Sequence, residues 1–86
     1  MNNAEAFSMR EKHLCVVVTF HTTAEAMATE LTCKEHHITG KLISAPRALS
    51  ADCGIAWCGS IDTRADLDRM FGTSKIEIAG IYEMEL

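Results

Sequence analysis

The sequence is short of basic residues, aromatic residues and long apolar runs, and each shortage removes a class of function. Eight lysines and arginines stand against twelve acidic residues in 86, and the basic residues do not cluster. Aromatic residues make up only 6% of the chain, so there are few rings on which bases could stack. Because nucleic-acid binding needs a patch of positive charge, we expect no nucleic-acid partner.

The chain offers no good candidate for a membrane span or a targeting signal. Residues 1–13 are polar and of mixed charge, and the apolar run that follows, residues 14–20, is too short for either. We therefore expect a cytoplasmic protein without membrane contact, in which the four cysteines stay reduced. Each cysteine is then a core residue, a reactive thiol or a metal ligand.

Periodicity predicts a flexible lead-in over residues 1–13 and a single α+β domain over residues 14–86. Strands are predicted near residues 14–20, 41–45, 55–58 and 75–84, and helices near residues 22–36 and 62–72. The resulting order, βαββαβ, is that of the ferredoxin-like fold, a four-stranded antiparallel sheet with two helices on one face. The predicted core contains five apolar residues: Val16, Val18, Leu31, Leu67 and Phe71.

The start of the first helix has a clear signal. Thr22, with Glu25 three residues later, forms a capping box. An apolar stripe at helical spacing follows, and we expect it to face the core: Ala24, Met27, Ala28 and Leu31. Gly40 is expected to end the segment in a left-handed conformation.

Cys53 has the most features of a reactive thiol. It lies in a loop of small and polar residues, precedes Gly54, and follows Arg47 by six positions. The βαββαβ order brings this loop to the start of the first helix, where His21, Thr22 and Thr23 lie. Arginine and a helix N-terminus both stabilise a thiolate, and His21 could serve as a base or a second positive charge. We expect Thr22 and Thr23 to cap the helix and, with Gly54, to contact an anion. The alternative is that Cys53 is only a small residue in a turn.

The other cysteines are expected to pack rather than react. Cys15 and Cys58 belong to predicted strands, and Cys33 lies off the apolar stripe of the first helix, where we expect it half-buried. A zinc site from Cys33, His36 and Cys58 is a further alternative, but the spacing lacks a pair of short knuckles. We therefore predict no metal ligands and no cofactor.

Two stretches resemble a family of small bacterial selenium/sulfur carrier-like proteins. They are residues 46–56, Pro-Arg-Ala-Leu-Ser-Ala-Asp-Cys-Gly-Ile-Ala, and residues 17–27, Val-Val-Thr-Phe-His-Thr-Thr-Ala-Glu-Ala-Met. The resemblance covers about residues 14–58. It implies that Cys53 carries sulfur or selenium as a persulfide or selenosulfide, with Arg47 and Ser50 as supporting residues of the same motif.

Donor and acceptor proteins are the partners that such a carrier implies, and the chain is expected to act as an accessory protein rather than a stand-alone enzyme. The alternative function is a non-catalytic regulatory module that binds a small ligand or a protein. We also expect a homodimer. The first strand is apolar on both faces while two helices cover only one, so a second copy would cover the other face.

Overall fold

The computed structural model describes residues 13–49 and 52–86. The elements follow the order βαββαβ: β1 Leu14–Thr19, α1 Thr23–Glu35, β2 Gly40–Ser44, β3 Ile55–Ser60, α2 Arg64–Thr73 and β4 Gly80–Glu85. A short 3-10 turn, Ile61–Thr63, leads into α2. Apart from His13, the predicted lead-in lies outside the described residues.

The four strands form one sheet in the order β2-β3-β1-β4, and each neighbouring pair is antiparallel. β1 is central because it is the most apolar strand, with four consecutive buried residues in its burial pattern. The predicted ferredoxin-like α+β fold is confirmed. Neither described helix is long and apolar enough to cross a membrane.

The core lies between the sheet and the two helices. Val16 and Val18 of β1 face this layer together with Trp57 of β3, and α2 contributes Leu67 and Met70. The predictions for Val16, Val18 and Leu67 are therefore confirmed, whereas Phe71 is only partly buried against the same cluster. We call the opposite side of the sheet, which no described helix covers, the open face.

The orientation of α1 differs from the prediction. Met27 and Leu31, placed in the core by the apolar stripe, are 61% and 60% exposed. The buried residues are smaller: Ala26, Thr29 and Cys33. The helix packs on β2 and β3, and the large Trp57 side chain already fills the core above these strands. Small side chains therefore fit beneath the helix better than leucine or methionine.

Trp57 lies over a pair of facing glycines. Gly40 and Gly59 are opposite each other in the register of β2 and β3, and a Cβ on either would collide with the indole ring. Gly40 is thus required inside the sheet, and the left-handed residue after α1 is His37, with φ 60°. The prediction that Gly40 ends the helix is wrong for this reason.

Candidate functional site

The loop between β2 and β3 closes with a backbone hydrogen bond. The amide of Ala45 donates to the carbonyl oxygen of Gly54 at 2.9 Å. Within the loop, the amide of Leu49 donates to the carbonyl oxygen of Pro46 at 3.0 Å, which forms a turn with Arg47 at its second position. Ser50, predicted as a supporting residue, lies outside the described residues.

Cys53 lies where this loop enters β3. Its side chain is half-buried against the core cluster, and its thiol donates a hydrogen bond to the carbonyl oxygen of Ile55 at 3.3 Å. Gly54 has φ 75°, a conformation that glycine adopts most easily, and no heavy atom lies within 4 Å of the position a Cβ would take. The backbone beside Cys53 is therefore open to an approaching molecule.

The N-terminus of α1 is capped as predicted. The hydroxyl oxygen of Thr22 accepts from the amide of Glu25 at 3.2 Å. In return, the Glu25 carboxylate accepts from the amide of His21 at 2.8 Å, one residue earlier than in the usual capping box. Thr23 is the exposed first residue of the helix. The Thr22 hydroxyl oxygen is thus already engaged as a cap.

One side-chain contact brings the Cys53 loop to this helix start. Nδ1 of His21 lies 3.6 Å from Oδ2 of Asp52, the residue before Cys53. Both side chains are largely exposed, so water screens the pair and its contribution to stability is small. No local pattern marks Asp52 as a site residue, because only the folded chain brings it to His21. With Glu25 nearby, this end carries two carboxylates as well as the helix dipole.

Arg47 is exposed. Among the described residues, no hydrogen bond or ion pair connects its guanidinium with Cys53. The structure therefore assembles Cys53, Gly54 and the His21–Asp52 pair, while Arg47 lies on an outer turn of the same loop.

Cys33 is a core residue, so the expectation that it is half-buried is wrong. It is 1% exposed, and its thiol donates to the sulfur of Met70 at 3.8 Å. Burial raises the pKa of the Cys33 thiol to about 11, because the thiolate would lose its hydration. A thiol this buried and this weakly acidic is a poor nucleophile at neutral pH.

Cys58 points to the open face, because side chains alternate along β3 and its neighbour Trp57 points to the core. Burial and the adjacent Cys15 raise the pKa of Cys58, and Lys41 on the neighbouring strand opposes this rise. The sheet separates Cys58 from Cys33, so the zinc alternative with His36 is wrong. In the described parts of the chain, no three His, Cys, Asp or Glu side chains form a metal-binding group.

Comparison with curated proteins and with solved structures finds no match to this chain. A family model described as "Putative Se/S carrier protein-like" matches residues 15–83. The match includes the whole of the loop that carries Cys53 and extends well beyond the 14–58 stretch on which the sequence resemblance rests. The chain therefore belongs to this family of selenium/sulfur carrier-like proteins.

Proposed function

We propose that the protein is a sulfur or selenium carrier, and that the thiol of Cys53 holds the cargo. Membership of the family over residues 15–83 is the observation on which the proposal depends. The position of Cys53 supports it, because the residue lies at the rim of the sheet beside the open backbone of Gly54. We place the exchange in the cytoplasm, where thiols are kept reduced.

The loading step is a thiol exchange. The Cys53 thiolate attacks the outer sulfur of a donor persulfide, R–S–SH, which gives Cys53–S–SH and releases RS⁻. The acceptor protein then attacks the same outer sulfur, and the Cys53 thiolate is restored. Selenium follows the same course from R–S–SeH. The Cys53 thiol must first give up its hydrogen bond to the Ile55 carbonyl oxygen.

The separation of the thiols suits a carrier better than a dithiol enzyme. A persulfide on Cys53 would be lost as hydrogen sulfide if a neighbouring thiol attacked the inner sulfur to form a disulfide. Cys33 is buried in the core. Cys58 points to the open face and lies three residues after Ile55, the first residue of β3, so it is about 10 Å along the strand from the end at which Cys53 lies. The cargo would therefore stay in place until an acceptor arrives.

The residues around Cys53 are proposed to support the exchange. Arg47 and Ser50 belong to the loop and are proposed to contact a bound donor or acceptor. His21 is proposed as the base that removes the thiol proton. Thr23 and Gly54 are proposed to offer backbone amides to an anionic group, with Thr22 in a capping role. Donor and acceptor proteins are the proposed partners.

A homodimer is part of the proposal, but its contact surface is better placed on α1 than on the open face. Val17, Thr19 and Ala56 of the open face are already fully buried in one chain. Met27 and Leu31, in contrast, present a largely exposed apolar surface one helical turn apart. Light scattering at high micromolar concentration should give a dimer that Leu31→Lys dissociates, and a monomeric wild type would contradict this contact.

Mass spectrometry after incubation with a low-molecular-weight persulfide tests the carrier role. The wild type should gain the mass of one sulfur atom, located at Cys53 by peptide mapping, and a reductant should remove it. Cys53→Ser should gain none, while Cys58→Ser should load like the wild type. Arg47→Ala should load more slowly, with Arg69→Ala, an exposed arginine on α2, as its matched control.

Two results would count against the proposal. Loading of Cys15 or Cys58 as fast as Cys53 would show that the carrier site is misplaced. A Cys53 thiol that remains unmodified in the folded wild type would remove the carrier function. The regulatory binding module would then take its place.

A further inference from the structure

Three sulfur-containing side chains come together on the open face of the sheet. Cys15 of β1 is directly opposite Met84 of β4, and residues that face each other in this way have Cβ atoms about 5 Å apart. Cys58 of β3 is opposite Val17, which makes it the diagonal neighbour of Cys15 on the same face. All three are half-buried, so they are reachable yet partly shielded from water.

The two thiols are close enough to affect each other. They lie on the same face of neighbouring strands, which run about 4.8 Å apart. Cys15 donates a hydrogen bond to the carbonyl oxygen of His13 at 3.3 Å. Both cysteines line a cavity of about 550 Å³ at the end of the sheet where β1 and β2 begin and β3 ends. A small species can therefore reach both sulfurs from one side.

A bridging atom suits this arrangement better than a direct disulfide. Diagonal neighbours in an antiparallel pair have Cα atoms about 7–8 Å apart, wider than disulfides usually span. A metal ion bound between the two sulfurs does not require the Cα atoms to come as close as a disulfide does. Soft thiolate and thioether sulfurs select Cu(I), zinc or iron–sulfur clusters. Structural zinc and the clusters take four protein ligands, whereas three sulfurs meet here, so Cu(I) fits this set best.

The charge around the cluster also favours a soft monovalent cation. A monovalent cation held by two thiolates and a thioether has a net charge of −1. Lys41 of β2 lies opposite Cys58 on the same face and lines the same cavity, so its ammonium group can balance that charge.

We propose that Cys15, Cys58 and Met84 form a binding site for Cu(I), with Lys41 as the compensating charge. Binding transfers no electrons. Cu⁺ replaces the two thiol protons, which go to solvent, and forms a Cys–S–Cu–S–Cys bridge to which the Met84 thioether adds a third, weaker bond. The site goes beyond the carrier function and uses none of the residues of the Cys53 loop.

Anaerobic titration of the full chain with Cu(I), in competition with a coloured Cu(I) chelator, tests the site. The wild type and Cys53→Ser should each bind one Cu(I) per chain in competition with the chelator. Cys15→Ser and Cys58→Ser should lose this site. Met84→Leu keeps an apolar side chain of similar size without the sulfur. It should weaken binding by at least the roughly ten- to hundredfold that loss of an outer-shell partner of a metal ligand costs.

X-ray absorption at the copper edge gives a second measurement that does not depend on the serine variants folding. Wild-type protein loaded with one Cu(I) should show sulfur neighbours only. A nitrogen ligand, or one Cu(I) bound as tightly by Cys58→Ser as by the wild type, would overturn the proposal. Loss of binding in Cys53→Ser would also overturn it, because the copper would then belong to the carrier loop. An unchanged affinity in Met84→Leu would refute the three-sulfur site.

Discussion

Gly40→Ala tests the packing of Trp57, the largest buried side chain of the core. The added methyl group would lie 2.6 Å from both Cε2 and Cη2 of the indole, far inside van der Waals contact. Either the ring leaves its place or the strands move apart. Expulsion of a ring that is 1% exposed should cost about 3–5 kcal/mol, as other losses of buried tryptophan do, and strain with the ring retained about 1–3 kcal/mol.

These costs are large for a chain of this length, whose free energy of unfolding should be roughly 4–13 kcal/mol. Gly72→Ala is the matched control, because no heavy atom lies within 4 Å of its added Cβ. Gly72 is part of α2, where alanine is the better helix former, so this variant should gain about 0.5–1 kcal/mol. The two substitutions add the same methyl group and should have opposite effects.

Urea unfolding followed by far-UV circular dichroism measures both free energies. Trp57 is the only tryptophan, so its fluorescence emission reports separately whether the ring has left the core. Gly40→Ala should unfold at lower urea than the wild type, with native emission shifted to the red if the ring is expelled. A Gly40→Ala protein with the wild-type midpoint and emission would refute the packing argument.

Two further predictions concern the layer between α1 and the sheet. Because the pKa of the Cys33 thiol is raised from 9.0 to about 11, the unfolded chain loses this proton at lower pH than the folded chain. Its contribution to stability should be complete below pH 9 and fall by up to about 3 kcal/mol as pH rises past 11, which urea unfolding at several pH values measures. Cys33→Ala should flatten this fall, and an equally steep fall in that variant would contradict the prediction. Leu31→Ala should cost under about 0.5 kcal/mol at dilute concentration, whereas Leu67→Ala should cost about 2–5 kcal/mol, and similar losses in urea unfolding would contradict the orientation of α1.

Local patterns were sufficient to predict most of the fold. The apolar run of β1, the capping box at Thr22 and the order of elements are all properties of neighbouring residues. The buried face of α1 was not predictable in this way. The apolar stripe with Leu31 and the buried set with Cys33 have the same helical spacing, and only the position of Trp57 on another element decides between them.

In the candidate site, too, some features follow from local sequence and others depend on contacts between elements. The loop position of Cys53 and the need for Gly54 follow from the sequence itself, and the structure adds the positive φ of Gly54. The contact between His21 and Asp52 depends on how a loop folds against a helix, which no local pattern encodes. Cys15 and Cys58 were each expected to lie in strands, and only the strand register shows that they are neighbours.

The fit of the Trp57 indole over the two facing glycines also favours one register between β2 and β3 during folding. Side chains alternate along β3, so a slip of one residue against β2 would turn Trp57 outward and bring Cys58 into the core. Gly59 lies two residues from Trp57 on the same strand, and only the native register places Gly40 opposite Gly59, so that the ring meets two positions without side chains. The register that buries Trp57 therefore also places Cys58 on the open face, next to Cys15.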